Sequence, residues 1–339
     1  MCAITNAVIV GLSFLFTKTA VNATNPIDTL AFRFTIAFIP VSLLRIFKAV
    51  KVNIQIKTIK LGGWFEMNYY VCETCGVQYE KSIVEPSECK ICTDERQYVS
   101  VNGQSWTTLD KLVASSQYKN KITFEEDGLH SIKTFPTFGI GQTAYLVHNS
   151  HFNLLWDCIT YIDNETITNI KELGGINAIA LSHPHYYSSQ VEWAEAFDAP
   201  IYIHEDDKEW VTRPSEHIIF WSGEELILKE GIVLHRVGGH FKGSTVLEWQ
   251  NNKKEGVLFV GDIIRVVADR KWVTFMYSYP NFIPLPTNIV KRIASQIDAF
   301  NFEKLIDAFH RVIEKDAKER VQISAARYIA ALENKLFET

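Results

Sequence analysis

Four cysteines constrain this chain more than any other feature. Cys72 and Cys75 form one C-x-x-C pair, and Cys89 and Cys92 form a second, within "YVCETCGVQYEKSIVEPSECKICTDERQYV". Each pair fits one tight turn, with Gly76 after the first and Pro86 before the second. Two such turns place four thiolates around one tetrahedral ion, and a segment this short and this poor in apolar residues does not fold without such a staple. A four-sulfur tetrahedron accepts zinc or iron, and spacing alone does not choose between them. Of the 6 cysteines, only Cys2 and Cys158 stand outside these pairs. That usage fits metal thiolates in a reducing compartment rather than a disulfide framework, so the globular part is expected to be cytoplasmic.

The rest of the chain is rich enough to build a core of its own. With 339 residues, 47% hydrophobic and 22% charged, it is expected to hold more than one structural unit. A net charge of −5 and the absence of a lysine- or arginine-rich stripe exclude nucleic acid as an expected partner. Nothing in the sequence sets an oligomeric state. Residues 1–47 stand apart in composition: two apolar blocks, Ala7 to Val21 and Leu30 to Phe47, flank the polar turn "NATNPID". Both approach the length of a membrane span, although each carries an internal charge, Lys18 and Arg33 respectively. Arg45, Lys48 and Lys51 after the second block would keep the remainder of the chain in the cytoplasm, tethered to a membrane if residues 1–50 insert.

From Ile122 to Leu336 short apolar runs alternate with amphipathic stretches. Strands are expected in "TAYLVH", "FNLLWDCI", "INAIAL", "PIYIHE", "GIVLHRV" and "GVLFVGDII". Helices are expected in "ETITNIKEL", "SQVEWAEAF", "NIVKRIASQI", "FEKLIDAFHRVI" and the closing "KERVQISAARYIAALENKL", with Ser189 and Glu192 reading as a capping box. The strand "INAIAL" leads into His183 and His185, and alternate residues of an extended segment point the same way, so both imidazoles meet one ion. His240 follows Gly238 and Gly239 in "RVGGHFKGSTVLEW". Asp262 ends the apolar run "VLFVGDII", where an unpaired charge is expensive. Together these four residues make a three-histidine site with an acid beside it.

Three family resemblances overlay this reading. The stretch "NAVIVGLSFLFTKTAVNATNPIDTLAFRFTIAFIPVSLLRIFK" resembles the first two spans of drug/metabolite transporter (EamA-like) proteins. Two spans do not make an alternating-access path, so residues 1–50 are either an anchor or a fused transporter remnant. The Y-x-C-x-x-C-G-x-x-Y opening from Tyr70 to Tyr79 resembles rubredoxin-like and zinc-ribbon modules, giving a unit at residues 66–105. The order strand, H-x-H, G-G-H, strand, G-D resembles the metallo-β-lactamase-fold hydrolases, giving a domain at residues 106–339. That resemblance implies an α/β fold, an αββα sandwich of two packed sheets flanked by helices. It also implies His183, His185, His240 and Asp262 as zinc ligands, with Asp262 also acting in catalysis. The family's second metal takes an aspartate and a histidine where this chain has Tyr187 and Ser188, and His310 lies in a helical stretch, so one ion is expected rather than two. Tyr187 is placed with Asp262 in the catalytic set, orienting substrate or stabilising an oxyanion.

The expected activity is hydrolysis of a small-molecule ester, lactone, thioester or phosphoester by activated water. Two rivals differ in class. One is electron transfer through an iron tetrathiolate; the other is a non-catalytic metal-binding protein.

Overall fold

Alternation along the strands sorts the apolar residues of this chain onto two faces, and the two faces build different cores. In a computed structural model of the protein, residues 67–149 and 151–338 are described. The two apolar blocks within residues 1–50 lie outside the described residues. Among the described residues, no helix is long and apolar enough to cross a membrane.

The cysteine-rich segment forms a three-stranded sheet. Strand β1 (Asn68–Cys72) lies between β2 (Gln78–Ser82) and β3 (Trp106–Thr108), antiparallel to both. Thr108 then caps α1 (Leu109–Ser115) by accepting a hydrogen bond from Lys111 N.

The main body has two large sheets. The first contains β4 (Lys119–Glu126), β5 (Leu129–Phe135), β6 (Ala144–Asn149), β7 (Phe152–Trp156), β8 (Ala178–Ala180), β9 (Ile201–His204) and β10 (Ile218–Trp221), in sequential spatial order. Pairing is antiparallel from β4 to β7 and parallel from β7 to β10. The parallel half needs crossovers, which α2 (Asn164–Glu172) and α3 (Gln190–Phe197) supply. The second sheet contains β11 (Glu225–Lys229), β12 (Ile232–Arg236), β13 (Thr245–Gln250) and β14 (Gly256–Phe259). Two small ribbons follow, β15 (Arg265–Val266) with β16 (Val273–Thr274), and β17 (Met276–Ser278) with β18 (Ile283–Pro284). Helix α4 (Thr287–Asp298) leads to β19 (Lys304–Ile306) and β20 (Val312–Ile313), which complete the second sheet beside β14, and α5 (Ala317–Leu332) closes the described chain.

Period-two alternation explains the layering. Tyr145 and Val147 of β6 and Val257 and Phe259 of β14 enter one core shared by the two sheets, with Trp156 and Trp249. Their neighbours Ala144 and Leu146 face the opposite way, toward Ile170 of α2 and Val191 and Trp193 of α3. On the second sheet Val246, Leu258 and Leu305 face Val290, Ile293 and Ile297 of α4 and Val321 of α5. Burial of one such large side chain is worth about 1.5–3 kcal/mol. The resulting order of layers is helix, sheet, sheet, helix, the αββα arrangement expected from the sequence.

Two local expectations fail. "FEKLIDAFHRVI" is not a helix. Leu305 and Ile306 pair in parallel with Leu258 and Phe259, and the Asp307 carboxylate accepts hydrogen bonds from the Phe309, Arg311 and Val266 backbone N–H groups, shaping a loop before β20. The apolar spacing there serves opposite faces of a short buried strand, which mimics a helical stripe. The Ser189–Glu192 capping box is also absent. Ser189 Oγ donates to Thr160 O at 2.7 Å, while Glu192 Oε1 accepts from Gln78 and Arg213.

The cysteine segment is not a separate bead. Its four cysteines, Val77 and Ile91 belong to the same buried cluster as Ile132, Ile159 and Leu181, and the described residues form one compact unit. Gly76, at φ +82°, shows how close the approach is, since a Cβ there would stand 2.2 Å from Thr160 Oγ1.

Candidate metal centres

The four thiols meet as the spacing predicts. Cys72 and Cys92 Sγ are 3.6 Å apart, as are Cys75 and Cys89 Sγ. A tetrahedron with metal–sulfur bonds of about 2.3 Å has edges of about 3.8 Å, so the cage already has the size of a bound ion. Gln104 Nε2 donates to Cys72 Sγ at 3.0 Å, and all four side chains are buried. Hydrogen bonds from Cys75, Cys89 and Cys92 pull the Cys72 thiol far down, whereas burial pushes Cys75 up. Cys89 is lowered as well and Cys92 raised, so the four thiols split between ionised and protonated forms, a split that a dication shared by all four would relieve.

The second cluster gathers His183, His185, His240 and Asp262, whose ligand atoms all lie within 4.8 Å of one another. His183 follows β8 with extended backbone, φ −170° and ψ 169°. The extended segment stops there: Pro184–Tyr186 make a single 3-10 turn, and it is this turn that brings His185 round beside His183. His240 comes from the loop between β12 and β13, and Asp262 from the loop after β14. Gly261, at φ +53°, lets that loop touch the first sheet, since a Cβ would stand 2.7 Å from Ser182 Oγ.

Partners fix the tautomers of two imidazoles. Ser182 Oγ donates to Asp157 Oδ2 at 3.0 Å and so accepts from His183 Nδ1 at 2.8 Å, leaving the His183 Nε2 lone pair free. His240 Nδ1 donates to Met276 O at 3.2 Å, leaving Nε2, which lies 3.2 Å from His185 Nδ1. His183 Nε2 stands 3.8 Å from Asp262 Oδ2, too long for a hydrogen bond but suited to two atoms sharing one ion. His183 Nε2, His185 Nε2 and Asp262 Oδ1 are buried without a hydrogen-bond partner. Burial lowers all three histidines, His240 to about 4, so their lone pairs are available at neutral pH. Burial also raises Asp262 to about 6 and Asp157 to about 7. Three neutral imidazoles and a carboxylate with unsatisfied atoms suit a zinc-like cation.

An open pocket of about 540 Å³ lies over this cluster, with His185, His240 and Asp262 on its lining. The cysteine segment supplies another wall, through Thr74, Arg96 and Gln97. Arg96 is held by Asp94 at 2.6 Å, stacks on Phe241 at 3.7 Å and donates to His240 O at 3.2 Å. Asn281 Nδ2 donates to Glu95 O and Gln97 O, tying the same segment to the loop after β17.

Tyr187 does not enter the site. It packs in the core under the first sheet, with its hydroxyl 3.5 Å from Asp207 O. Ser188 is likewise turned inward, accepting from Gln142 Nε2 and donating to Cys158 O. Tyr186 takes the place expected of Tyr187. Its ring lies 4.3 Å from that of His183 and its hydroxyl is near enough to Asp262 to favour the ionised carboxyl, yet the Tyr186 hydroxyl is left without a well-formed hydrogen bond. The 3-10 turn decides this, because it rotates residue 186 inward where an extended strand would present 187. His310 is in a loop, not a helix, and contacts Tyr145 and Glu125 rather than the cluster. Arg96 and Arg265 were missed. Neither sits in a motif, and only the fold brings them to the pocket.

No family model matches the chain. Solved structures with a similar arrangement include MEM-A1, a subclass B3 metallo-β-lactamase from a soil metagenome library, at 14% identity, covering 64% of this chain and 95% of that one with a TM-score of 0.45. Another is the metallo-β-lactamase FIM-1 from Pseudomonas aeruginosa in its mono-zinc form, at 16% identity, 61% and 95% coverage and a TM-score of 0.46. A 59-residue stretch is 44% identical to the uncharacterized transporter YcxC of Bacillus subtilis (strain 168); it spans 17% of this chain and 19% of that protein. Over 274 residues, 80% of this chain and 100% of the relative, identity with the uncharacterized protein YmaE of Bacillus subtilis (strain 168) is 58%, and the chain belongs to the same family as that protein.

Proposed function

We propose that this protein is a metal-dependent hydrolase of the metallo-β-lactamase superfamily, working with one zinc ion held by His183, His185, His240 and Asp262. The observation that carries the reading is the set of buried, unsatisfied ligand atoms gathered under an open pocket. A cation in that place supplies Lewis acidity, making water a nucleophile at neutral pH and polarising a carbonyl or phosphoryl group. The chain's own residues do the rest. Asp262 offers Oδ2 to the histidine side of the cluster, and its unpartnered Oδ1 takes the proton of the attacking water. The nearby Tyr186 hydroxyl favours the ionised form of that carboxyl. Asp157, through Ser182, holds His183 in the tautomer that presents Nε2.

What surrounds the cluster supports a single ion. The positions that would serve a second ion, Tyr187 and Ser188, face the core, and the Arg265 guanidinium lines the pocket beside Asp262. The tetrathiolate site, with zinc or iron, is structural in this reading, and the substrate is a small-molecule ester, lactone, thioester or phosphoester.

A panel of these four substrate classes, assayed with zinc-loaded full-length protein and its His240→Ala variant, tests the proposal. At least one class should turn over, and the variant should lose about a thousandfold or more. Turnover that survives the substitution, or none from zinc-loaded protein on any class, would contradict it.

A further inference from the structure

The turn that leaves the closed cluster braces the open one. After Cys92 the chain folds back on itself: Thr93 N and Thr93 Oγ1 donate to Cys89 O at 2.9 and 3.0 Å, and Gln97 N donates to Asp94 O at 3.0 Å. Within this turn the Asp94 carboxylate accepts three hydrogen bonds from Arg96, from its backbone N at 2.9 Å, Nε at 2.6 Å and Nη2 at 2.9 Å. Nη1 alone is left to reach out of the turn. It donates to His240 O, the carbonyl of a candidate ligand 144 positions away, at 3.2 Å. The guanidinium carbon also stands 3.7 Å from the centroid of the Phe241 ring and 5.0 Å from that of Trp210, so fork and stacking together fix the plane from which Nη1 donates.

A second brace starts from the same turn. Asn281, in the loop between β17 and β18, donates through Nδ2 to Glu95 O at 2.8 Å and to Gln97 O at 3.0 Å. Met276, at the start of β17, accepts from His240 Nδ1 at 3.2 Å. His240 is therefore held by its main chain through Arg96 and by its ring through β17, and both contacts lead back to residues 93–97. His183 differs, since Ser182 and Asp157 of the main body orient it. Contacts of this outer kind decide where a ligand atom points and how tightly it binds an ion.

We infer that Arg96 is a positioning residue of the open site, and that an ion in the closed site strengthens ion binding at the open one by fixing the turn that carries Arg96 and meets Asn281. The inference rests on both clusters holding ions. It goes beyond a purely structural tetrathiolate, because the closed ion then sets the place of His240. Such a coupling is reciprocal: each ion changes the binding free energy of the other by the same amount.

Zinc affinity rather than turnover tests it. Full-length protein, freed of the open-site ion by a mild chelator and keeping about one metal per chain, is titrated with zinc against a competing chelator, beside Arg96→Met, Arg96→Lys, Asn281→Ala and Cys92→Ser. Arg96→Met should lose about 10–100-fold in open-site affinity with its tetrathiolate metal and thermal midpoint kept. Arg96→Lys, which keeps one donor and the charge without the fork, should recover part of that loss, and Asn281→Ala should lose less than Arg96→Met. Cys92→Ser, without the closed ion, should fall at least as far as Arg96→Met. Parental affinity in Arg96→Met, or a loss seen only together with a fall in thermal midpoint of more than a few degrees, makes Arg96 a packing residue and overturns the proposal. A folded Cys92→Ser chain with parental open-site affinity overturns it too. A parent that takes up no zinc at the histidine cluster overturns both this inference and the hydrolase reading, whereas affinities that behave as stated while no substrate class turns over leave the inference standing and sink that reading alone.

Discussion

The two clusters of this molecule have the same number of candidate ligands and opposite surroundings. Cys72, Cys75, Cys89 and Cys92 are closed in on every side, with a side-chain amide on one sulfur and a shared apolar core around them. His183, His185, His240 and Asp262 are as deeply buried, yet several of their polar atoms have no partner and a pocket opens above them. A closed tetrahedron stores folding energy, whereas an open one leaves a coordination position for chemistry. The difference lies in what borders each cluster, not in the ligands alone. The closed site also borders the open one, because Arg96 and Gln97 of the cysteine segment wall the pocket.

The largest expected effect comes from breaking the closed site. Cys75→Ser should remove its metal and, because the cluster is continuous with the core beneath the first sheet, lower the thermal midpoint of the whole described unit rather than fray one segment. The loss should be several kcal/mol. Thermal unfolding with metal analysis checks this; an unchanged midpoint with the metal gone would make the segment an ornament.

Breaking the open site should act the other way. His183→Ala should abolish metal binding there and cut hydrolysis about a thousandfold or more, while leaving the midpoint within a few degrees of the metal-free parent. Comparable destabilisation by His183→Ala and Cys75→Ser would erase the distinction between the centres.

Acidity sharpens the comparison, since only the open site leans on a buried acid whose proton is displaced. Burial raises Asp157 to about 7, above its ordinary value near 4, so the folded metal-free protein holds that proton longer than the unfolded chain does. The contribution is favourable below about pH 4 and is lost as pH rises toward 7, by up to about 4 kcal/mol. Asp157→Asn keeps an acceptor for Ser182 N and should make that slope shallower in denaturant titrations from pH 4 to 8, the rest coming from Asp262 and Asp207, which burial raises to about 6 and about 7. A variant with the parental slope would locate the proton elsewhere.

The smallest effect concerns orientation. Ser182→Ala removes the link between Asp157 and His183 without touching a ligand, and zinc affinity at the open site should fall about 10–100-fold. A competitive chelator titration reads this, with the tetrathiolate metal as the unaffected internal reference.

The sequence exposes ligands better than it exposes walls. Cysteine spacing, H-x-H after an apolar run, G-G-H and G-D at the end of another run each depend on neighbours in the chain, so all eight candidate ligand residues were legible, and the structure brings them together as two groups. The sequence points to Tyr187 rather than Tyr186 because the choice depends on a 3-10 turn, and Pro184, which begins it, is also compatible with an extended segment. Residues 302–313 resemble a helix in sequence because Leu305, Ile306 and Ile313 fit a helical stripe; pairing of Leu305 and Ile306 with the distant β14, and of Ile313 with Leu305, makes them strands. Arg96 and Arg265 stand 169 positions apart, and only the packing of the cysteine segment on the main body brings them to one pocket.

Metal stoichiometry is the most direct test of the central claim, that one closed and one open single-ion site coexist. Full-length protein freed of loosely held ions should contain about two metal ions per chain by elemental analysis, and His183→Ala and His240→Ala should each retain about one. Three tightly bound ions in the parent, or two in either variant, would contradict the account.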